Sequence, residues 1–356
     1  MTRLILLGAG KIGEIIAHLL QRSGDFDLTV ADQDEARLEA ISALGVRVRR
    51  AAFDDASALR ELIRGQSMIV SALPFYLTPA VAAAAVAARA HYFDLTEDVE
   101  STRRVKALAA ESTSVLMPQC GLAPGFISVL AHAMTRKFER LRDVHMRVGA
   151  LPVYPTNALK YNLTWSTDGL INEYCNPCEA IIDGGRRETL ALEEMEAFSL
   201  DGIAYEAFNT SGGLGTLCDT LEGRVENLNY KTVRYPGHRD LVKMLIRDLR
   251  LGQRRQILKD VLEASIPMTH QDVVLVFVTV SGMQGGRLTQ ESFAKKIYSQ
   301  TIDGRLYSAI QITTAAGVCA MVDLVREGIL PQHGFVRQED ANLEGFLANR
   351  FGQYYS

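Results

Sequence analysis

The stretch Leu4-Ile5-Leu6-Leu7-Gly8-Ala9-Gly10-Lys11-Ile12-Gly13 decides how the rest of the chain is read. Four consecutive apolar residues make a buried strand, and the glycines at 8, 10 and 13 make a sharp turn that opens a helix-like pattern from Lys11 to Gln21. A strand that ends this way turns at Gly8, leaves its backbone bare at Gly10 for a pyrophosphate, and packs a helix tightly at Gly13. The free N–H groups and positive dipole end of that helix then face the phosphates. A second apolar run, Leu28-Thr29-Val30-Ala31, ends in Asp32. A carboxylate there accepts hydrogen bonds from both ribose hydroxyls of an adenosine and repels a 2′-phosphate, which favours NAD over NADP. Gln33, Asp34 and Glu35 add no cation, and Asp34 doubles as a candidate helix N-cap.

The chain has 356 residues, 47% of them hydrophobic and 22% charged, enough for two folded domains. A formal net charge of -4 gives no basic footprint for nucleic acid or an anionic membrane surface, so small molecules are the expected partners. The sequence enters a strand at once, and the apolar segment from Ala80 to Ala90 is too short to cross a bilayer. With five cysteines dispersed through the chain, the expectation is a cytoplasmic, reduced protein.

From residue 1 to about 118, short apolar runs alternate with helix-length stretches, the pattern of a doubly wound parallel sheet. Strands are predicted near 3–7, 27–31, 46–50, 67–72, 91–94 and 114–117, and helices near 11–22, 34–43, 56–64, 77–89 and 99–111. The result is a Rossmann α/β fold with the cofactor across the carboxyl ends of the strands. The loop Ser71-Ala72-Leu73-Pro74-Phe75 follows the fourth strand and should lie over the cofactor. Phe93-Asp94-Leu95-Thr96-Glu97-Asp98 closes the fifth at the same edge, with Thr96 or Asp98 available as an N-cap.

After Met117-Pro118 the rhythm changes at Gln119-Cys120-Gly121-Leu122-Ala123-Pro124-Gly125-Phe126. A helix is predicted near 126–137. Longer, antiparallel-looking strands follow over Val144–Leu151, Glu179–Ile182 with an Asp183-Gly184-Gly185 turn, Val225–Arg234, Val273–Ser281 and Arg305–Ile312. A last helix, Thr314–Glu327, is read as packing back onto the first domain. The division is therefore 1–120 with 313–356 as the NAD-binding Rossmann domain, and 121–312 as an inserted α+β catalytic and oligomerisation domain.

With Cys120-Gly121-Leu122-Ala123-Pro124-Gly125 beside the N-terminal glycines, the chain resembles the saccharopine dehydrogenase-like superfamily over nearly its whole length. Tyr230-Lys231-Thr232-Val233-Arg234-Tyr235-Pro236-Gly237-His238 is similar to that family's substrate-domain signature. The segments Tyr161-Asn162-Leu163-Thr164-Trp165-Ser166 and Gly169-Leu170-Ile171-Asn172-Glu173-Tyr174 most resemble its lysine 6-dehydrogenase branch. The resemblance implies an NAD-dependent oxidoreductase acting at a carbon–nitrogen bond, assembled as a homodimer or higher homo-oligomer. The saccharopine reductase branch usually carries Asp where Ala123 stands, which favours simple deamination of a free amino acid.

Oxidising an amine needs a hydride acceptor, a neutral nitrogen and an anchor for the rest of the substrate. Arg234, before the Tyr235-Pro236-Gly237 turn, is the candidate carboxylate anchor, because a guanidinium grips a carboxylate with two parallel hydrogen bonds. His238 is the candidate acid/base, and Glu97 and Asp98 are the alternatives. Gly8, Gly10, Lys11, Ile12, Gly13, Asp32, Ala72, Leu73, Pro74, Cys120 and Gly121 are the candidate cofactor residues. Cys120 reads as a wall of the site, since amine oxidation needs no covalent intermediate. Cys175-Asn176-Pro177-Cys178 lacks the second pair a zinc site requires, so no metal is expected. Trp165 reads equally as a core residue beside a capped helix start and as part of the pocket that fixes substrate length. The leading expectation is oxidative deamination of the ε-amine of L-lysine. The alternatives are a saccharopine or carboxynorspermidine-type reductase, and a regulatory NAD-binding protein without turnover.

Overall fold

The computed structural model describes residues 1–356, which divide into two compact units: Met1–Phe126 with Gln311–Ser356, and Ile127–Ile310. In the first unit the strands are β1 (Thr2–Leu7), β2 (Phe26–Asp32), β3 (Arg47–Arg50), β4 (Met68–Ser71), β5 (His91–Asp94) and β6 (Val115–Met117). They alternate with helices α1 (Lys11–Ser23), α2 (Glu35–Ser42), α3 (Ala56–Ile63), α4 (Thr78–Ala88) and α5 (Val99–Ala109). All strand pairs are parallel in the order β6-β5-β4-β1-β2-β3, so the order reverses between β1 and its neighbours β4 and β2. Leu4, Ile5, Leu6 and Leu7 are all buried because both sheet faces are covered, which is why this strand reads as an unbroken apolar run.

A seventh parallel strand, Gly334–Phe335, pairs with β6 and has no apolar run to announce it. The Ala309–Arg326 helix is apolar on all sides, and its residues from Ile312 to Val325 are almost wholly buried, as a core helix must be. It corrects one sequence expectation: the strand read over Arg305–Ile312 is only Arg305–Tyr307, and the chain turns helical at Ala309. The reason is Asp272, whose carboxylate accepts the N–H groups of Ala309 (2.5 Å) and Ile310 (3.0 Å) and so caps the helix across a separation no local pattern reveals.

α6 (Phe126–Thr135) leads into the second unit. There β7 (Arg140–Pro152), β8 (Cys178–Ile182), β9 (Gly185–Thr189), β10 (Glu196–Leu200), β11 (Ile203–Asn209), β12 (Asn227–Arg234), β13 (Asp272–Gln284) and β14 (Arg287–Tyr298) form one eight-stranded sheet, with helix α7 (Thr167–Cys175) before β8. The pairing is antiparallel except for β7 with β12, which is parallel, for example Tyr230 opposite Met146. The long chain between those two strands permits that crossover. One apolar core of this unit collects Tyr161, Leu163, Leu170, Tyr174 and Phe208 with Leu258 and Leu262 of the Arg255–Ser265 helix, an element the sequence reading passed over.

Candidate active site: a glycine cradle and a buried arginine

In the first unit the turn after β1 is shaped by backbone contacts. Gly8 has φ 104°, and a Cβ on it would lie 2.8 Å from the Ala72 carbonyl oxygen. A Cβ on Gly13 would overlap the Gly8 carbonyl oxygen, so only glycine lets α1 seat against the turn. Asp32 closes the other side, with Oδ2 accepting from Ala9 N at 2.6 Å and Oδ1 from Asp34 N at 2.9 Å. Lys11 and Ile12 open α1, and the Lys11 carbonyl accepts from Gln311 Nε2 at 3.0 Å. Leu73 reaches to 3.4 Å of the Cβ position at Gly8, and Pro74 sets the start of the Phe75–Leu77 turn. These residues fit a dinucleotide: the cradle is open at Gly10, where a Cβ would meet a single atom within 4 Å, Arg37 Nη1.

Asp34 and Asp98 both act as N-caps, accepting from Arg37 N at 3.2 Å and Ser101 N at 2.7 Å. Glu97 and Asp98 are half-buried beyond β5. Asp94 is fully buried at the end of β5. It joins two strand exits, Oδ1 accepting from Thr96 N and Gln119 N (both 2.9 Å) and Oδ2 from Tyr92 Oη at 2.8 Å. Burial outweighs those hydrogen bonds and raises its pKa to about 6. Cys120 donates its thiol to Met117 O at 3.0 Å, and burial pushes that thiol up, which removes it as a nucleophile. Gly121 is pressed by the Ala309–Arg326 helix, where a Cβ on Gly317 would lie 2.5 Å from the Gly121 carbonyl oxygen.

In the second unit Arg234 and His238 come together through Tyr174. Arg234 ends β12 and is 3% exposed. Its Nε donates to Tyr174 Oη at 2.9 Å and its Nη1 to Val233 O at 2.9 Å. The guanidinium carbon lies 4.9 Å from the Tyr161 ring centre and 5.8 Å from that of Tyr174, an aromatic setting that favours a cation. Burial works against its charge, but Tyr174, Tyr161 and the buried carboxylate of Glu173 outweigh it and hold its pKa above the ordinary value. His238 Nδ1 lies 2.8 Å from Leu159 O and Nε2 3.0 Å from Tyr174 Oη.

A carbonyl can only accept, so Nδ1 carries the proton. Burial first, and the Arg234 charge second, lower the imidazole pKa to about 3, so the ring is neutral and Nε2 accepts the tyrosine proton. The hydrogen bonds therefore run in one direction, from Arg234 to Tyr174 to His238 to Leu159 O. Glu206 holds the turn beneath them, accepting from Gly237 N (2.8 Å) and Arg239 N (2.7 Å), with Gly237 at φ 97°. Tyr161, Tyr174 and Glu206 had no role in the sequence reading, and only burial and hydrogen bonding single them out.

The other two buried cations of this unit are already paired. Arg147 donates to both carboxylate oxygens of Glu196 and to Asn229 Oδ1 (2.7 Å), while Lys231 Nζ reaches Glu196 Oε2 at 3.1 Å. Cys175 and Cys178 are both free thiols, and burial raises Cys178 to about 12. Trp165 Nε1 donates to Tyr161 Oη at 3.2 Å, and Ser166 caps α7 through Gly169 N at 3.2 Å, so both readings of Trp165 still stand.

Residues 4–117 match the family model of the saccharopine dehydrogenase NADP binding domain, and residues 121–349 that of the saccharopine dehydrogenase C-terminal domain. This chain belongs to the saccharopine dehydrogenase family. It is an oxidoreductase of that family, built to use a nicotinamide cofactor. Its fold is similar to that of the apo form of a saccharopine dehydrogenase (L-Glu forming) from Saccharomyces cerevisiae, with a TM-score of 0.78 over 97% of this chain and 96% of the other at 17% identity. Among curated relatives it is 21% identical over 197 residues to the mitochondrial alpha-aminoadipic semialdehyde synthase of Bos taurus, and 20% identical to that of Rattus norvegicus. Each match covers 51% of this chain and 20% of the relative, so the matched stretch spans a fifth of those proteins.

Proposed function

We propose that the protein is an NAD-dependent dehydrogenase that removes the ε-amine of L-lysine, giving 2-aminoadipate 6-semialdehyde, which cyclises, and ammonia. The observation that carries this reading is Arg234, a buried guanidinium set against the rings of Tyr161 and Tyr174. A buried guanidinium whose hydrogen bonds go to a hydroxyl and a backbone carbonyl suits a substrate with one carboxylate group, whereas the other buried cations, Arg147 and Lys231, are held by Glu196. Asp32 supports NAD over NADP, since a carboxylate at the end of β2 accepts hydrogen bonds from ribose hydroxyls and repels a 2′-phosphate. When bound, the cofactor supplies the hydride acceptor.

The residues of the second unit then have separable tasks. Arg234 orients the substrate through its carboxylate. Tyr174 is the group able to receive a proton from the substrate side while passing its own to His238 Nε2, so His238 acts through Tyr174. Carboxylate binding neutralises the Arg234 charge, which is the second cause of the low His238 pKa, and so makes the relay more basic when substrate is present. Of the alternatives, a saccharopine-type activity is supported by the names of the matching family models and requires cations for further carboxylates, while a carboxynorspermidine-type activity has no such support. The test is to incubate the protein with NAD and either L-lysine or saccharopine, following NADH absorbance and free ammonia. NADH with stoichiometric ammonia from lysine supports the proposal. Turnover of saccharopine alone, without ammonia, replaces it.

A further inference from the structure

Arg37 puts a cation beside the glycine cradle, where the sequence from Gln33 to Glu35 offers none. It sits on the first turn of α2, and its Nε lies 3.2 Å from Asp34 Oδ2. Its Nη1 is 3.9 Å from where a Cβ on Gly10 would stand, and apart from Gly10 and its two chain neighbours no other heavy atom lies within 4 Å of that point. Gly10 is the second glycine of the turn, the position left bare so that a pyrophosphate can come against the backbone. The guanidinium therefore lies beside the path of the phosphates.

Its present partner holds it weakly. The Arg37 and Asp34 side chains are 58% and 42% exposed, and exposed ion pairs at this spacing contribute little. Two other arginines of this edge point elsewhere, Arg50 toward Glu35 at 3.5 Å and Arg47 toward Asp27. A 2′-phosphate is a poor target for Arg37, because the Asp32 carboxylate, which closes the turn by accepting from Ala9 N, would repel it. A diphosphate is a better acceptor than Asp34, with two charges and several oxygens for the planar fork.

We propose that Arg37 leaves Asp34 when the dinucleotide arrives and pairs with its pyrophosphate, a clasp that reads the diphosphate and neither the 2′-phosphate nor the base. The inference rests on the cofactor site alone and is independent of the substrate.

The experiment is calorimetric titration of NAD, NADP, ADP and adenosine into the intact protein and into Arg37→Ala, Arg37→Gln and Asp34→Asn. Arg37→Ala and Arg37→Gln are expected to weaken NAD, NADP and ADP by a common factor of about tenfold and to leave adenosine unchanged. Asp34→Asn, which retains an oxygen for the α2 cap, is expected to tighten the three diphosphates by about twofold, because it frees the guanidinium. Loss confined to NADP would overturn the proposal in favour of a 2′-phosphate contact. Equal loss for adenosine would assign Arg37 to the base, and unchanged affinity for all four ligands would leave it a surface ion pair. Thermal melting of the unliganded variants, expected to match the parent, separates a lost contact from a lost fold. No substrate is present, so a negative result here leaves the lysine reading standing.

Discussion

The two units build their sites from different materials. The cradle of the first unit is mostly backbone: Gly8, Gly10 and Gly13 matter for what they lack, and Asp32 closes the turn through the Ala9 and Asp34 N–H groups. The cluster of the second unit is mostly side chain, with Tyr161, Tyr174, Glu206, Arg234 and His238 drawn from segments up to 77 residues apart, from position 161 to position 238. A backbone site must be contiguous, because only neighbouring residues shape one turn. A side-chain site need not be, because the sheet brings distant residues together. Substitutions should therefore break the first site through sterics and folding, and the second through charge and hydrogen bonding.

The largest effect is expected at Gly13. Gly13→Ala drives a methyl group into the Gly8 carbonyl oxygen, a backbone atom that cannot swing aside, and should cost about 3 kcal/mol or more of stability together with dinucleotide binding. Urea denaturation checks it. Unfolding at the parent midpoint would show that the turn yields and that the steric account of the cradle is wrong.

Arg234→Lys tests the opposite prediction for the second unit. The charge stays and the planar fork goes, so kcat/KM for the preferred amino acid should fall by a factor corresponding to about 1.5 to 3 kcal/mol, with the fold intact. An unchanged kcat/KM would make Arg234 a structural partner of Tyr174 and nothing more. His238→Gln sharpens the same comparison: it leaves the Arg234 anchor in place, so it should lower kcat with little change in KM.

A comparable free energy, spread over pH, is expected from Asp94. Its folded pKa, about 6, lies above the ordinary carboxylate value, so between those two pH values the folded state binds the extra proton. Its contribution to stability is complete below about pH 4 and is lost as pH rises through 6. Relative to Asp94→Asn, which does not titrate, the parent should lose roughly 2 to 3 kcal/mol between pH 4 and pH 7. A stability difference that is flat with pH would refute the burial argument.

The smallest effect is expected from the cysteine pair. Cys175→Ser with Cys178→Ser should leave activity near the parent level, and purified protein should carry no stoichiometric zinc. One zinc per chain, lost in the double variant, would contradict this.

Most of the first unit was legible because each signal lay within one element: the run before Gly8, the glycine spacing, and Asp32 ending the next strand. The Gly334–Phe335 strand escaped because two residues carry no periodicity, and its place is set by pairing with β6. In the second unit β14 escaped because polar residues such as Gln290 and Ser292 stand at its exposed positions and break the apolar pattern a buried strand would show. The segment 308–312 misread as strand because Ile310 and Ile312 favour strands locally, whereas Asp272, 37 residues away from Ala309, fixes it as helix. Arg234 and His238 were singled out by the segment that resembles the family's substrate-domain signature. Tyr174, which connects them, could not be, since a tyrosine on an apolar helix reads as core until its hydroxyl partners are known.

In the proposed reaction the bond broken is the one to the ε-nitrogen of lysine. The ε-amine has an ordinary pKa near 10.4, so at neutral pH almost all of it is ammonium without a lone pair, and kcat/KM should rise with pH toward an alkaline optimum. The direct measurement is turnover of L-lysine labelled with nitrogen-15 at either the α or the ε position, with the released ammonia analysed by mass. The prediction is that the ε label alone appears in ammonia and that the α label stays in a cyclising 2-aminoadipate semialdehyde. Release of the α label, even with NADH formed at the same rate, would contradict it.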